Sequence, residues 1–165
     1  MNKKGQEEIT GFVLIIIIVS VIFLVLIGIF IRQEVKEQQS TDVYQFLDSA
    51  MALTTSCALS YEPNYLTLGG LIEKCYSGGQ CLSGEDTCDA LNSTLKSVLE
   101  ESWQVGEENP IRGYEFRAVW QDGETSELIL EAKEGDCSGR MTGAENLADS
   151  FSGTIVSSLK ICYGD

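Results

Sequence analysis

Residues Phe12 to Ile31 form a run of 20 without a charge, and 18 of them are Val, Ile, Leu or Phe; only Ser20 and Gly28 interrupt. As a helix the run would be roughly 30 Å long at 1.5 Å per residue, the thickness of a bilayer's hydrocarbon core. At about −0.4 kcal/mol for each apolar residue, transfer into lipid gains on the order of 7 kcal/mol. Twelve of the 20 are β-branched, a composition that favours strands and aggregation in water. In lipid an open strand leaves its backbone groups unpaired, so helix is the expected form. The run is longer than the apolar core of a cleaved secretory signal, and it ends in Ile31-Arg32-Gln33 rather than at small residues. These features predict a single-pass transmembrane helix. Lys3 and Lys4 before the run balance Arg32 and Lys36 after it, and the α-amino group tips the N-terminus towards the cytoplasm.

Beyond Ile31 the chain changes character. The whole sequence carries 25 acidic and 11 basic residues and no histidine, a net charge of −14. From Arg32 to Asp165 there are 23 acidic and 9 basic residues, so the whole of that net charge lies beyond Ile31. An acidic surface argues against a nucleic-acid partner, which needs a basic face. Six cysteines, Cys57, Cys75, Cys81, Cys88, Cys137 and Cys162, all lie on this side of the run. An even count confined to one side points to three disulfides in an oxidising compartment, with an extracellular C-terminal head. Zinc is the rival reading, but there is no Cys-x-x-Cys pair and no histidine to complete a ligand set. Free buried cysteines are a further alternative. Fifteen pairings are open; Cys137 with Cys162 is favoured, leaving the other four to pair among themselves. Asn92-Ser93-Thr94 is a glycosylation sequon, a candidate modification site on a translocated face.

Periodicity then orders the head. Val35, Val43, Phe46, Leu47, Ala50, Met51 and Thr54 recur at helical spacing, with no proline or glycine between Arg32 and Leu59, so one continuous helix is expected from about Gln6 to Ser56. Short helices are expected over Leu68–Tyr76 and Thr87–Trp103, the second N-capped by Asp86. Tyr114, Phe116, Ala118 and Trp120 alternate with their neighbours, Asp122-Gly123 signals a hairpin, and Leu128 to Ala132 return. A loop with a helical turn near Ala144–Asp149 is expected before a last strand over Thr154–Tyr163. The fold class is α+β: a long N-terminal transmembrane helix continuing into an extracellular head with short helices and a small antiparallel sheet. The expected segments are 1–5, 6–31, 32–56 as an amphipathic extension, and 57–165 as the disulfide-stapled head.

Chemistry is hard to place. There is no nucleophile elbow or phosphate loop, and without histidine neither a Ser-His nor a Cys-His pair can be built. Glu100-Glu101 and Glu107-Glu108 are adjacent carboxylates, but in so acidic a chain they read as solvated surface rather than an acid–base pair. Asp122-x-Glu124-x-Ser126 is too short for a calcium loop and sits in a hairpin. No enzyme activity, cofactor or metal is expected.

The N-terminus carries one resemblance. Lys3-Lys4-Gly5-Gln6 with the apolar run after it resembles the class III signal peptide of archaeal type IV pilin-like proteins. The resemblance implies cleavage between Gly5 and Gln6 by a prepilin-type peptidase. It also implies an apolar helix retained in the mature protein, which anchors it in the membrane before assembly and packs in a filament core afterwards. Other pilin-like subunits or further copies are the implied partners. Many pilins place a glutamate at the fifth mature position; here that residue is Thr10, and Glu7 and Glu8 are the neighbouring carboxylates available to pair with a terminal amine. Gly11, Ser20 and Gly28 are the small residues that would let helices approach closely. The expected function is a non-enzymatic pilin-like or pseudopilin-like structural subunit at the cell surface. The alternative is a permanently anchored ectodomain that binds an envelope or cell-surface partner.

Overall fold

The computed structural model describes residues 13, 16–26, 40–61, 64–150 and 153–164. The chain divides into two units, Met1–Lys36 and Glu37–Asp165. In the first, α1 is helical over residues 16–26, with its apolar side chains exposed. No helix among the described residues is long and apolar enough to cross a membrane. The expected single-pass transmembrane helix over 12–31, and the localisation built on it, are corrected accordingly.

The continuous helix from Gln6 to Ser56 is corrected as well, at both described breaks. Ser40 adopts an extended conformation, φ −72° and ψ 119°, and its hydroxyl accepts a hydrogen bond from the Val43 amide. It therefore starts a new helix, α2, over Thr41–Met51, because an N-cap serine satisfies an otherwise orphaned amide while turning the backbone out of the helical region. Val43, Leu47 and Ala50 form the buried stripe of α2, spaced as one helical face requires. Thr54–Ala58, expected to lie partly within the long helix, is strand β1 and pairs antiparallel with β2, Tyr65–Thr67.

Helix α3, Leu68–Ser77, is capped by Thr67, whose hydroxyl accepts from the Gly70 amide. Helix α4, Thr87–Ser102, is capped by Asp86, whose carboxylate accepts from the Cys88 amide at 2.8 Å. Its buried stripe is Thr87, Ala90, Leu91, Leu95 and Leu99. Between α3 and α4 the chain is held by the hydroxyl of the buried Thr87, which donates towards the carbonyls of Lys74 and Gly79.

The second sheet has four antiparallel strands in the order β4-β3-β6-β5. They are β3 (Ile111–Asp122), β4 (Thr125–Gly135), β5 (Arg140–Ser150) and β6 (Gly153–Tyr163). The hairpin β3–β4 turns at Gly123, whose φ of +56° is the left-handed conformation glycine favours. Segment 140–150 is strand where a loop with a helical turn was expected: it pairs with β6 along its whole length, from Arg140↔Tyr163 to Ser150↔Gly153. The inner face of the sheet supplies Tyr114, Phe116, Ala118, Ala144, Ile155, Leu159 and Ile161 to the core, where the buried residues of α2, α3 and α4 meet them. The architecture is thus α+β with two sheets.

Three disulfides join Cys57 to Cys81, Cys75 to Cys88 and Cys137 to Cys162. The first two tie β1 and α3 to the loop and helix after them. The third ties the segment beyond β4 to the last strand. Such cross-links stabilise a domain mainly by constraining its unfolded chain.

Candidate functional site

A recessed region lies at the end of the sheet where β4 leaves it. A cleft of about 810 Å³ is lined by Val105, Arg112, Asp136, Ser138 and Tyr163 among others. A second hollow of about 450 Å³ adjoins it and shares Glu107, Arg112, Tyr163 and Gly164. Gly135 makes the wall possible: its φ is +73°, and its backbone lies against Gly113 and the Arg112 carbonyl. The Asp136 amide then donates to that carbonyl at 2.9 Å.

The polar groups of this cleft are used internally. The Arg112 guanidinium donates to the Glu107 carbonyl. Arg140 lies 5.5 Å from the centre of the Tyr163 ring, a cation–π arrangement. Asp136 accepts from both the amide and the hydroxyl of Ser138. Carboxylates and guanidinium groups both line it, so the hollow presents no single charge to a ligand.

Of the adjacent carboxylates, Glu107 and Glu108 line the second hollow. Glu100 forms an exposed i,i+4 pair with Lys96, while Glu101, Glu107 and Glu108 are not buried. Among the described residues, no group of three or more His, Cys, Asp or Glu could hold a metal ion, and all six cysteines are in disulfides. The alternating aromatics of β3 belong to the core: Tyr114 and Phe116 are buried, and Trp120 packs against it and stacks on Tyr76 with ring centres 5.1 Å apart. The Tyr114 hydroxyl donates to Glu134 at 2.8 Å. Burial first, then this carboxylate, pushes the phenol's pKa well above its ordinary value.

On the outer face of the sheet, Arg117 is held between Glu115 at 2.8 Å and Glu131 at 2.7 Å. Its hydrogen bond to Glu131, then the charge of Glu115, raises its pKa further. A register shift between Ala118 and Val119 sets Val119 opposite Leu128. It turns both Ile129 and Leu130 to the core and leaves Leu128 outside, about half exposed, as a bulge does when two residues oppose one.

Of the residues singled out from the sequence, Gly5, Gln6, Glu7, Glu8, Gly11, Phe12, Gly28 and Ile31 lie outside the described residues. Ser20 is an exposed residue of α1, and Asn92 is exposed on α4. The six cysteines are brought together in pairs. Sequence reasoning missed the outer face of the sheet, because its neighbours are set by pairing register and by a bulge that no local pattern announces. No protein-family model and no curated protein matches this chain.

Proposed function

We propose that the chain is a non-catalytic structural subunit of the pilin-like kind. In this reading a prepilin-type peptidase cuts between Gly5 and Gln6, and the apolar run buries against the runs of neighbouring subunits. The observation that carries the reading is the exposure of that run. Eleven Val, Ile, Leu and Phe side chains at residue 13 and within 16–26 are each 48–67% exposed, whereas the head builds its core from residues 43–161. Contiguous apolar surface of this kind marks an interaction site. Burying the rest of these side chains would be worth on the order of 10 kcal/mol, at about 1 kcal/mol each. The three disulfides support an oxidising, extracellular setting for the head. Its acidic surface would keep displayed heads soluble and apart.

N-terminal sequencing of the protein isolated from its native source tests the reading. A terminus at Gln6 is expected. A terminus at Met1 or Asn2, with Lys3-Lys4 intact, overturns it. Electron microscopy of the same material should show assemblies that contain the chain.

A further inference from the structure

We propose that the outer face of the four-stranded sheet is an interface that takes a second copy of this chain, face to face. The inference concerns the head alone and goes beyond the processing reading. Strand register lines up one apolar row across all four strands: Leu128 opposite Val119, Val119 opposite Val156, and Val156 opposite Leu147. Leu128 is 55% and Leu147 is 68% exposed, so the ends of the row stand in solvent. In strand order the row reads Leu-Val-Val-Leu. A two-fold axis lying between two such faces, along the row or along the strands, sets leucine on leucine and valine on valine. That self-complementarity is what an isologous interface requires.

Charge points to the same occupant. The row on one side of it carries Arg117 with Glu131 and Glu145, the row beyond that Glu115 with Lys133 and Lys160, and the row on its other side Asp149 with Ser126, Gln121 and Thr154. These rows hold three basic and four acidic residues, close to balance on a chain whose net charge is −14. A basic partner would favour the rest of the surface. A second copy, itself acidic, meets least repulsion at this near-neutral patch. Arg117 is already neutralised by Glu115 and Glu131, so burying this row leaves no lone charge at Arg117. Size is adequate too. The strands are 11 or 12 residues long. Four of them at about 4.8 Å spacing and about 3.4 Å per residue present roughly 700 Å², close to the ~800 Å² per partner of a standard interface.

Cross-linking of the full chain, kept in mild detergent to disperse the apolar run, tests the proposal. All six native cysteines are paired, so Val156→Cys introduces a single reactive thiol at the centre of the face. With a short bis-maleimide it should give covalent dimer at several-fold the yield of Tyr61→Cys, a position 95% exposed on the β1–β2 connection. Adding Leu147→Glu should bring that yield down to the level of Tyr61→Cys. Equal yields from Val156→Cys and Tyr61→Cys overturn the proposal. Should Val156→Cys fail to fold, Leu147→Glu alone decides by sedimentation velocity: the parent chain is expected as a dimer and the variant as a monomer. Identical sedimentation of the two overturns the proposal. N-terminal sequencing is unaffected by either result, so the two readings fail separately.

Discussion

Replacing Gly135 by alanine should be among the most damaging single-methyl changes in the head. Gly135 has φ +73°, and a Cβ there would overlap the Arg112 carbonyl oxygen, come within 2.7 Å of a Val105 methyl and within 2.9 Å of the Gly113 Cα. Two of those three neighbours are backbone in the β3–β4 pair, where Gly113 and Gly135 face each other, so neither can rotate away. Gly123 is the control. Its φ is also positive, +56°, but nothing lies within 4 Å of a Cβ built on it. Gly123→Ala therefore isolates the cost of the left-handed conformation, about 1 kcal/mol. Gly135→Ala adds overpacking, about 1–3 kcal/mol more, for a total near 3 kcal/mol. Both tryptophans, Trp103 and Trp120, lie in the head, so their fluorescence follows its unfolding alone. With a urea m-value of about 1.5 kcal/mol/M, the midpoint should fall by about 2 M for Gly135→Ala and by about 0.7 M for Gly123→Ala. Equal shifts would refute the argument, because they would mean that the Arg112–Gly135 approach is not tight.

Removing the Asp86 cap should also register: Asp86→Ala is expected to cost about 1 kcal/mol, read as a lower urea midpoint, with Asp86→Asn recovering most of it. Tyr114→Phe should cost about 1 kcal/mol near neutrality through loss of the bond to Glu134. The raised pKa of Tyr114 means that the folded state keeps its phenol protonated, so the tyrosine's contribution is full below the unfolded value of about 10 and fades as pH rises above it. The stability gap between parent and Tyr114→Phe should accordingly narrow from about pH 9 to about pH 11; a gap that widens counts against the assignment. Among the disulfides, removing Cys137–Cys162, which closes a loop of sequence separation 25, should cost more than removing Cys75–Cys88, with separation 13. Chain entropy gives about 3.5 and about 2.9 kcal/mol for paired alanine variants, and the reverse order in calorimetry would show that strain or residual structure dominates. Mass spectrometry of unreduced protein should find no free thiol; six free thiols would remove the oxidising-compartment argument.

Sequence by itself determined the elements whose causes are local. Asp86 announces α4 because its carboxylate meets an amide two residues away, and Asp122-Gly123 announces the β3–β4 turn because glycine suits the left-handed backbone there. Alternation marked the inner faces of β3 and β6 for the same reason: burial on one side of a strand repeats every second residue. Tertiary structure decided the rest. Segment 140–150 carries Ala, Leu and Glu with few β-branched residues, and no local preference makes it a strand; eleven paired positions along β6 do. The break at Ser40 was hidden because the apolar spacing of α2 continues the phase of what precedes it, while the Ser40 amide donates instead to the Gly143 carbonyl of β5, 3.1 Å away. The expected membrane helix had the right composition, but among the described residues no helix is long and apolar enough to cross a membrane. The outer row Leu128–Val119–Val156–Leu147 was invisible in the sequence for the plainest reason: its members come from four strands, and only pairing and one bulge bring them to a single line.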